Sequence, residues 1–136
     1  ESNLIVTGDA KALAVADLPE DGWPDFIVTR TKSTRNAFLN QGVKGRHSLR
    51  IQLRGLAGNA PAIGARVTLE LADGTPRTSE VYAGSGYFSQ STADCFFGYL
   101  PANAPVKIHV HWPSGATSVH PVPPQSVTIV LSAPTP

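Results

Sequence analysis

The strongest constraint on the fold is the alternation of apolar and polar residues in four short runs. In "SLRIQLR", Leu49, Ile51 and Leu53 fall on one face, with Arg50, Gln52 and Arg54 on the other. "RVTLELADG" repeats the device, setting Val67, Leu69 and Leu71 against Arg66, Thr68 and Glu70 before Asp73-Gly74 turns the chain back. "KIHVHW" offers Ile108, Val110 and Trp112 to one side, and "SVTIVL" offers Val127, Ile129 and Leu131. A period of two residues gives an extended strand one dry face and one wet face. Strands of this kind need a second layer to cover the dry face. The expected fold is therefore mainly β, an antiparallel β-sandwich of Ig-like or transthyretin-like type. Twelve glycines and twelve prolines supply the turns between strands.

Composition narrows the partners. The 136 residues suffice for one ordinary domain with a buried core and no staples. Charged residues make up 15% of the chain and the net charge is +1, which gives no warrant for a nucleic-acid partner. No apolar run approaches the roughly 20 residues of a membrane helix, so no membrane insertion is expected. The lone cysteine, Cys95, excludes an internal disulfide and reads as a buried strand position. The chain opens on Glu1 and contains no Met, which reads as a piece of a longer protein with other domains.

Three zones are expected: 1–42 as a small unit, 43–132 as the sandwich, and 133–136 as a tail. The first zone holds "ADLPEDGWPDF", which crowds four acids around Gly22. Its spacing lays Asp17, Asp21 and Asp25 onto carboxylate positions of a calcium loop, with the Trp23 carbonyl as a further oxygen. Pro19 stands where one more oxygen would be needed. The other reading is a turn whose aspartates accept backbone N–H bonds. Strand, acidic turn and strand across Ala12–Arg30 make a β-hairpin, which cannot bury a core alone.

Catalysis is not expected. No G-x-S-x-G elbow precedes a helix, and Cys95 has no motif-defined histidine partner. His109 and His111 share a strand face, but two ligands do not make a metal site, and a polar stripe explains them. "AGSGYFSQS" reads as a strand with its turn. The candidate ligand-binding residues are Trp23, Tyr82 and Tyr87 as aromatic surface, with Arg50, Gln52 and Arg54 as hydrogen-bonding partners on a face shared with Arg66 and Glu70.

Two resemblances add context. "AVADLPEDGWPDFIVTR" with "NAFLNQG" resembles one FG-GAP/VCBS repeat, a propeller-blade unit whose acidic loop often holds calcium. "NAPAIGARVTLEL", "VYAGSGYFSQS", "FFGYL" and "IHVHWPSG" resemble the ASPIC/UnbV domain in order and spacing. The chain departs from that pattern at Tyr99-Leu100, where a second glycine is usual, and at His111, where a basic residue often precedes the tryptophan. The resemblance implies a secreted or cell-surface protein and a non-catalytic binding module for a polysaccharide or a protein surface. The alternative is a structural domain that caps or links its neighbours, with calcium as its one ligand.

Overall fold

The structure, a computed structural model, describes residues 5–32 and 34–135. The first four residues of the expected N-terminal unit and the last residue of the expected tail lie outside the described residues. Strands β1 (Ala10–Ala16), β2 (Asp25–Arg30) and β3 (Asn36–Phe38) form an antiparallel sheet in that order. The expected hairpin is therefore present, and β3 extends it along β2 through the pairs Phe26–Phe38 and Val28–Asn36. The 3₁₀ turn Pro101–Asn103 is the only helical turn among the described residues. No helix there is long and apolar enough to cross a membrane.

The remaining strands build two facing sheets. One contains β4 (His47–Arg54), β7 (Cys95–Tyr99) and β10 (Thr128–Ser132) in the order β10-β4-β7. The other contains β5 (Arg66–Leu71), β6 (Pro76–Glu80), β8 (Pro105–His111) and β9 (Thr117–Pro121) in the order β6-β5-β8-β9. Their inner faces meet in one apolar cluster that includes Leu49, Ile51, Leu53, Val67, Leu69, Ile108, Val110 and Trp112. Trp112 is fully enclosed, and its indole N–H donates to the Ser118 Oγ at 2.8 Å, so the one polar atom of the ring is satisfied. The mainly-β sandwich expected from the alternation is the fold observed.

Three details differ from the sequence reading. One pair is parallel: β10 lies alongside β4 from Thr128–Arg50 to Ser132–Arg54. The chain crosses from β9 to the other sheet through residues 122–127 and enters beside β4 running the same way. Val127 precedes the strand and stays exposed, leaving Ile129 half-buried and Leu131 buried. Finally, "AGSGYFSQS" is no strand. Gly84 at φ +67° and Phe88 at φ +47° leave the extended region, so only an isolated bridge, Gly86–Ser89, remains.

Leu69 has no exposed surface and lies at the centre of the four-stranded sheet. Leu69→Ala is expected to cost about 2–5 kcal/mol of unfolding free energy, read as a lower urea midpoint at unchanged slope.

Candidate functional site

The two acidic and aromatic features of the sequence lie in different places. In the acidic loop between β1 and β2, Asp17 accepts the Asp21 N–H at 3.0 Å on Oδ1 and the Gly22 N–H at 2.9 Å on Oδ2. Asp21 accepts the Trp23 N–H at 2.9 Å. Asp25, fully buried, accepts the Leu18 N–H at 2.8 Å and the Asn40 N–H at 2.7 Å, one on each oxygen. The aspartates thus satisfy the N–H groups of a tight turn, which is why so acidic a segment closes compactly.

Calcium needs six to eight oxygens turned toward one point. The oxygens of Asp17 and Asp25 instead face N–H donors, and the cation beside Asp17 is the Arg50 guanidinium at 3.3 Å. Among the described residues no group of three or more His, Cys, Asp or Glu side chains is arranged to hold a metal ion. The donor set as folded does not fit the ion. The Trp23 indole is half-buried and lies against Gly42, where an added Cβ would meet the ring at 3.1 Å.

The polar residues expected to form one binding face are divided between two. Arg50, Gln52 and Arg54 point outward from β4, whereas Arg66 and Glu70 point outward from β5 on the opposite sheet. Arg50 is also engaged: its Nε donates to Asp94 Oδ2 at 2.7 Å, and Gln52 Nε2 donates to Asp94 Oδ1 at 3.4 Å. Arg54 remains exposed, and its carbonyl accepts the Ala133 N–H.

The outer face of the four-stranded sheet is a set of closed pairs. Glu70 faces His109 at 3.0 Å and Lys107 at 3.8 Å, and the His109 hydrogen bond is the main cause that lowers its carboxyl pKa. A shallow hollow of about 240 Å³ lies beside this stripe, lined by Arg66, Thr68, His109, His111 and residues of β9. Cys95 is buried, and desolvation raises its thiol pKa, the wrong direction for a nucleophile.

The aromatic feature is more unusual. Between β6 and β7, Tyr82, Tyr87 and Phe88 are all exposed, and Phe88 has 86% of its surface in water. Tyr87 and Phe88 meet edge to face, centroids 4.5 Å apart and planes at 74°. The loop beneath them is fixed by side chains. Gln90 Nε2 donates to the Ser91 carbonyl at 2.9 Å, its Oε1 accepts the Gly84 N–H, and Ser85 Oγ accepts the Ser91 N–H at 2.9 Å. Tyr82 is anchored too, its hydroxyl donating to Glu80 Oε2 at 2.7 Å while Arg66 Nε donates to Oε1 at 2.9 Å. Sequence reasoning marked Tyr82 and Tyr87 but passed over Phe88. The signal was present: a Tyr-Phe pair framed by Gly and Ser has no neighbouring apolar residue to bury against.

The family described as ASPIC and UnbV has a sequence profile that matches residues 55–135. The match begins just after β4, although β4 is the central strand of its sheet. No curated protein matches the chain.

The Glu80–Tyr82 bond sets a pH signature. The Tyr82 hydrogen bond, then Arg66, lowers the Glu80 pKa, so its contribution is present above the ordinary carboxylate range and fades as pH falls through the folded value. The same bond raises the Tyr82 pKa above 10.0, so that contribution is lost as pH rises through its folded value. Ultraviolet titration is expected to show Tyr82 ionising late, and Glu80→Gln should bring it back toward the ordinary value.

Proposed function

The chain belongs to the ASPIC and UnbV family, and from that premise we propose that it is a non-catalytic binding module of a secreted or surface multidomain protein. Its recognition surface is the loop between β6 and β7, and its ligand is a glycan or the surface of a protein. The observation that carries this reading is Phe88. A phenylalanine whose backbone stands at φ +47° and which is 86% exposed violates both backbone preference and the hydrophobic effect. Strain of this kind persists only when its surroundings enforce it, and it clusters at ligand sites. Ser85 and Gln90 supply that enforcement through their bonds to the loop backbone.

The chemistry of the loop suits binding better than turnover. Tyr82 and Tyr87 offer ring faces for stacking together with hydroxyl handles, the usual equipment for gripping a sugar ring or a protein surface. Glu80, the carboxylate that holds Tyr82, is itself paired with Arg66. The raised pKa of Cys95 supports the same non-catalytic reading.

A second reading has its own observation. The three-stranded N-terminal sheet contacts the sandwich through Val15, whose N–H donates to Ser91 Oγ at 3.0 Å and whose carbonyl accepts the Thr92 N–H at 2.9 Å. On this reading the domain links or caps its neighbours, and its N-terminal unit derives from a FG-GAP/VCBS-type repeat. The two readings separate on an array of neutral and acidic glycans and purified surface proteins. The binding reading expects retention that falls about ten-fold or more in the double variant Tyr87→Ala, Phe88→Ala, with the melting temperature unchanged or raised. With a net charge of +1, retention should change little between low and physiological salt. No retention of the wild type leaves the linking role as the function.

A further inference from the structure

We propose that Arg50 serves as the internal cation of the acidic loop, and that this partly buried arginine, in place of a metal ion, locks the N-terminal sheet onto the sandwich. The Arg50 side chain is 15% exposed and reaches two carboxylates, Asp94 at 2.7 Å and Asp17 at 3.3 Å, whose side chains are 3% and 0% exposed. Asp17 belongs to the acidic loop; Asp94 stands immediately before β7 in the sandwich. One guanidinium therefore bridges the two units. A planar fork with five donors suits such a double carboxylate contact, which an ammonium point charge does not reproduce.

Both carboxylates of this triad have further partners. Asp17 accepts two turn N–H groups, and Asp94 accepts Gln52 on its free oxygen. A buried ion pair is tolerated on that condition, and removing one partner then leaves an uncompensated charge in the interior. Calcium would bring two positive charges into a space that already holds one. The ion and the guanidinium are alternatives at the same carboxylate.

A second contact makes the docking specific. Gly22, at φ +85°, passes so close to Val127 that a Cβ would stand 2.7 Å from its Cγ1 and 2.9 Å from its carbonyl oxygen. Val127 in turn accepts the Arg50 N–H at 2.9 Å. The acidic loop, the start of β10 and the middle of β4 thus converge around Arg50. The loop is a receptor for an arginine of its own chain.

Hydrogen exchange of the full chain, read by peptide, tests this. In Arg50→Ala, peptides covering 10–30 are expected to exchange about a hundred-fold faster, while those covering β5 and β8 keep their wild-type rates. Equal acceleration everywhere, or none, overturns the proposal. If that variant fails to fold, Gly22→Ala disturbs the same contact at Val127 without touching the core. It is expected to give the same selective pattern, and uniform exchange there overturns the proposal equally. Wild-type melting curves in millimolar calcium and in chelator should superimpose. A rise in melting temperature with calcium shows that a metal holds the loop and overturns the assignment.

Discussion

Strand β4 is buried against a core on one side and bonded to an acidic loop on the other, and a single two-residue period fixes both. Leu49, Ile51 and Leu53 enter the apolar cluster shared with β5 and β8. Arg50 and Gln52, between them, turn outward and meet Asp94, and Arg50 continues to Asp17. A slip of one residue would carry the leucines into water and the arginine into the core, so neither face can be shifted without losing the other. Among the described residues β4 is also the one strand of its sheet with neighbours on both edges. The core, the sheet order and the docking of the N-terminal unit all depend on that register.

Local preference and global fold agree through most of the molecule. Turn glycines such as Gly74 adopt positive φ where the hairpin needs it, and inward positions are apolar almost throughout. The loop between β6 and β7 departs from this agreement, with a strained, exposed aromatic residue inside a loop whose two ends are tied together by side-chain hydrogen bonds. Such departures are where recognition is normally found, because a sequence under no other demand would relax them.

The alternation in "SLRIQLR" and "RVTLELADG" made the sandwich legible, since a period of two has one structural meaning when it recurs. The expected strand at "NAFLNQG" is likewise present as β3. What escaped were features that depend on tertiary approach. The parallel β4–β10 pair is set by a crossover whose path no local pattern encodes. Arg50 reads from sequence as an exposed hydrogen-bonding residue, because nothing local reveals that Asp17 and Asp94, separated from it by 33 and 44 positions, will close around it. The acidic loop was ambiguous for the same reason: aspartates spaced for a cation are equally spaced for the N–H groups of a turn. The exposure of Phe88 was legible from its Gly and Ser neighbours, whereas its left-handed backbone was not, because that conformation is too rare at a bulky residue to expect.

The pairing of β10 with β4 carries a consequence for how the molecule is made. These strands lie about 74 positions apart between Arg54 and Thr128, so the sheet they share closes through one of the longest loops the chain contains. The entropy of that closure must be met before any of its contacts form, which places the domain among slow, high-contact-order folders. Until Thr128–Ser132 leaves the ribosome, the middle of the nascent sandwich presents a bare edge whose backbone groups offer a template to other chains. The acidic loop meets Val127 at the threshold of the same strand. Completion of the sheet and arrest of the N-terminal unit therefore both wait on the same strand, and until it pairs the open β4 edge is the part of the molecule most in need of cover.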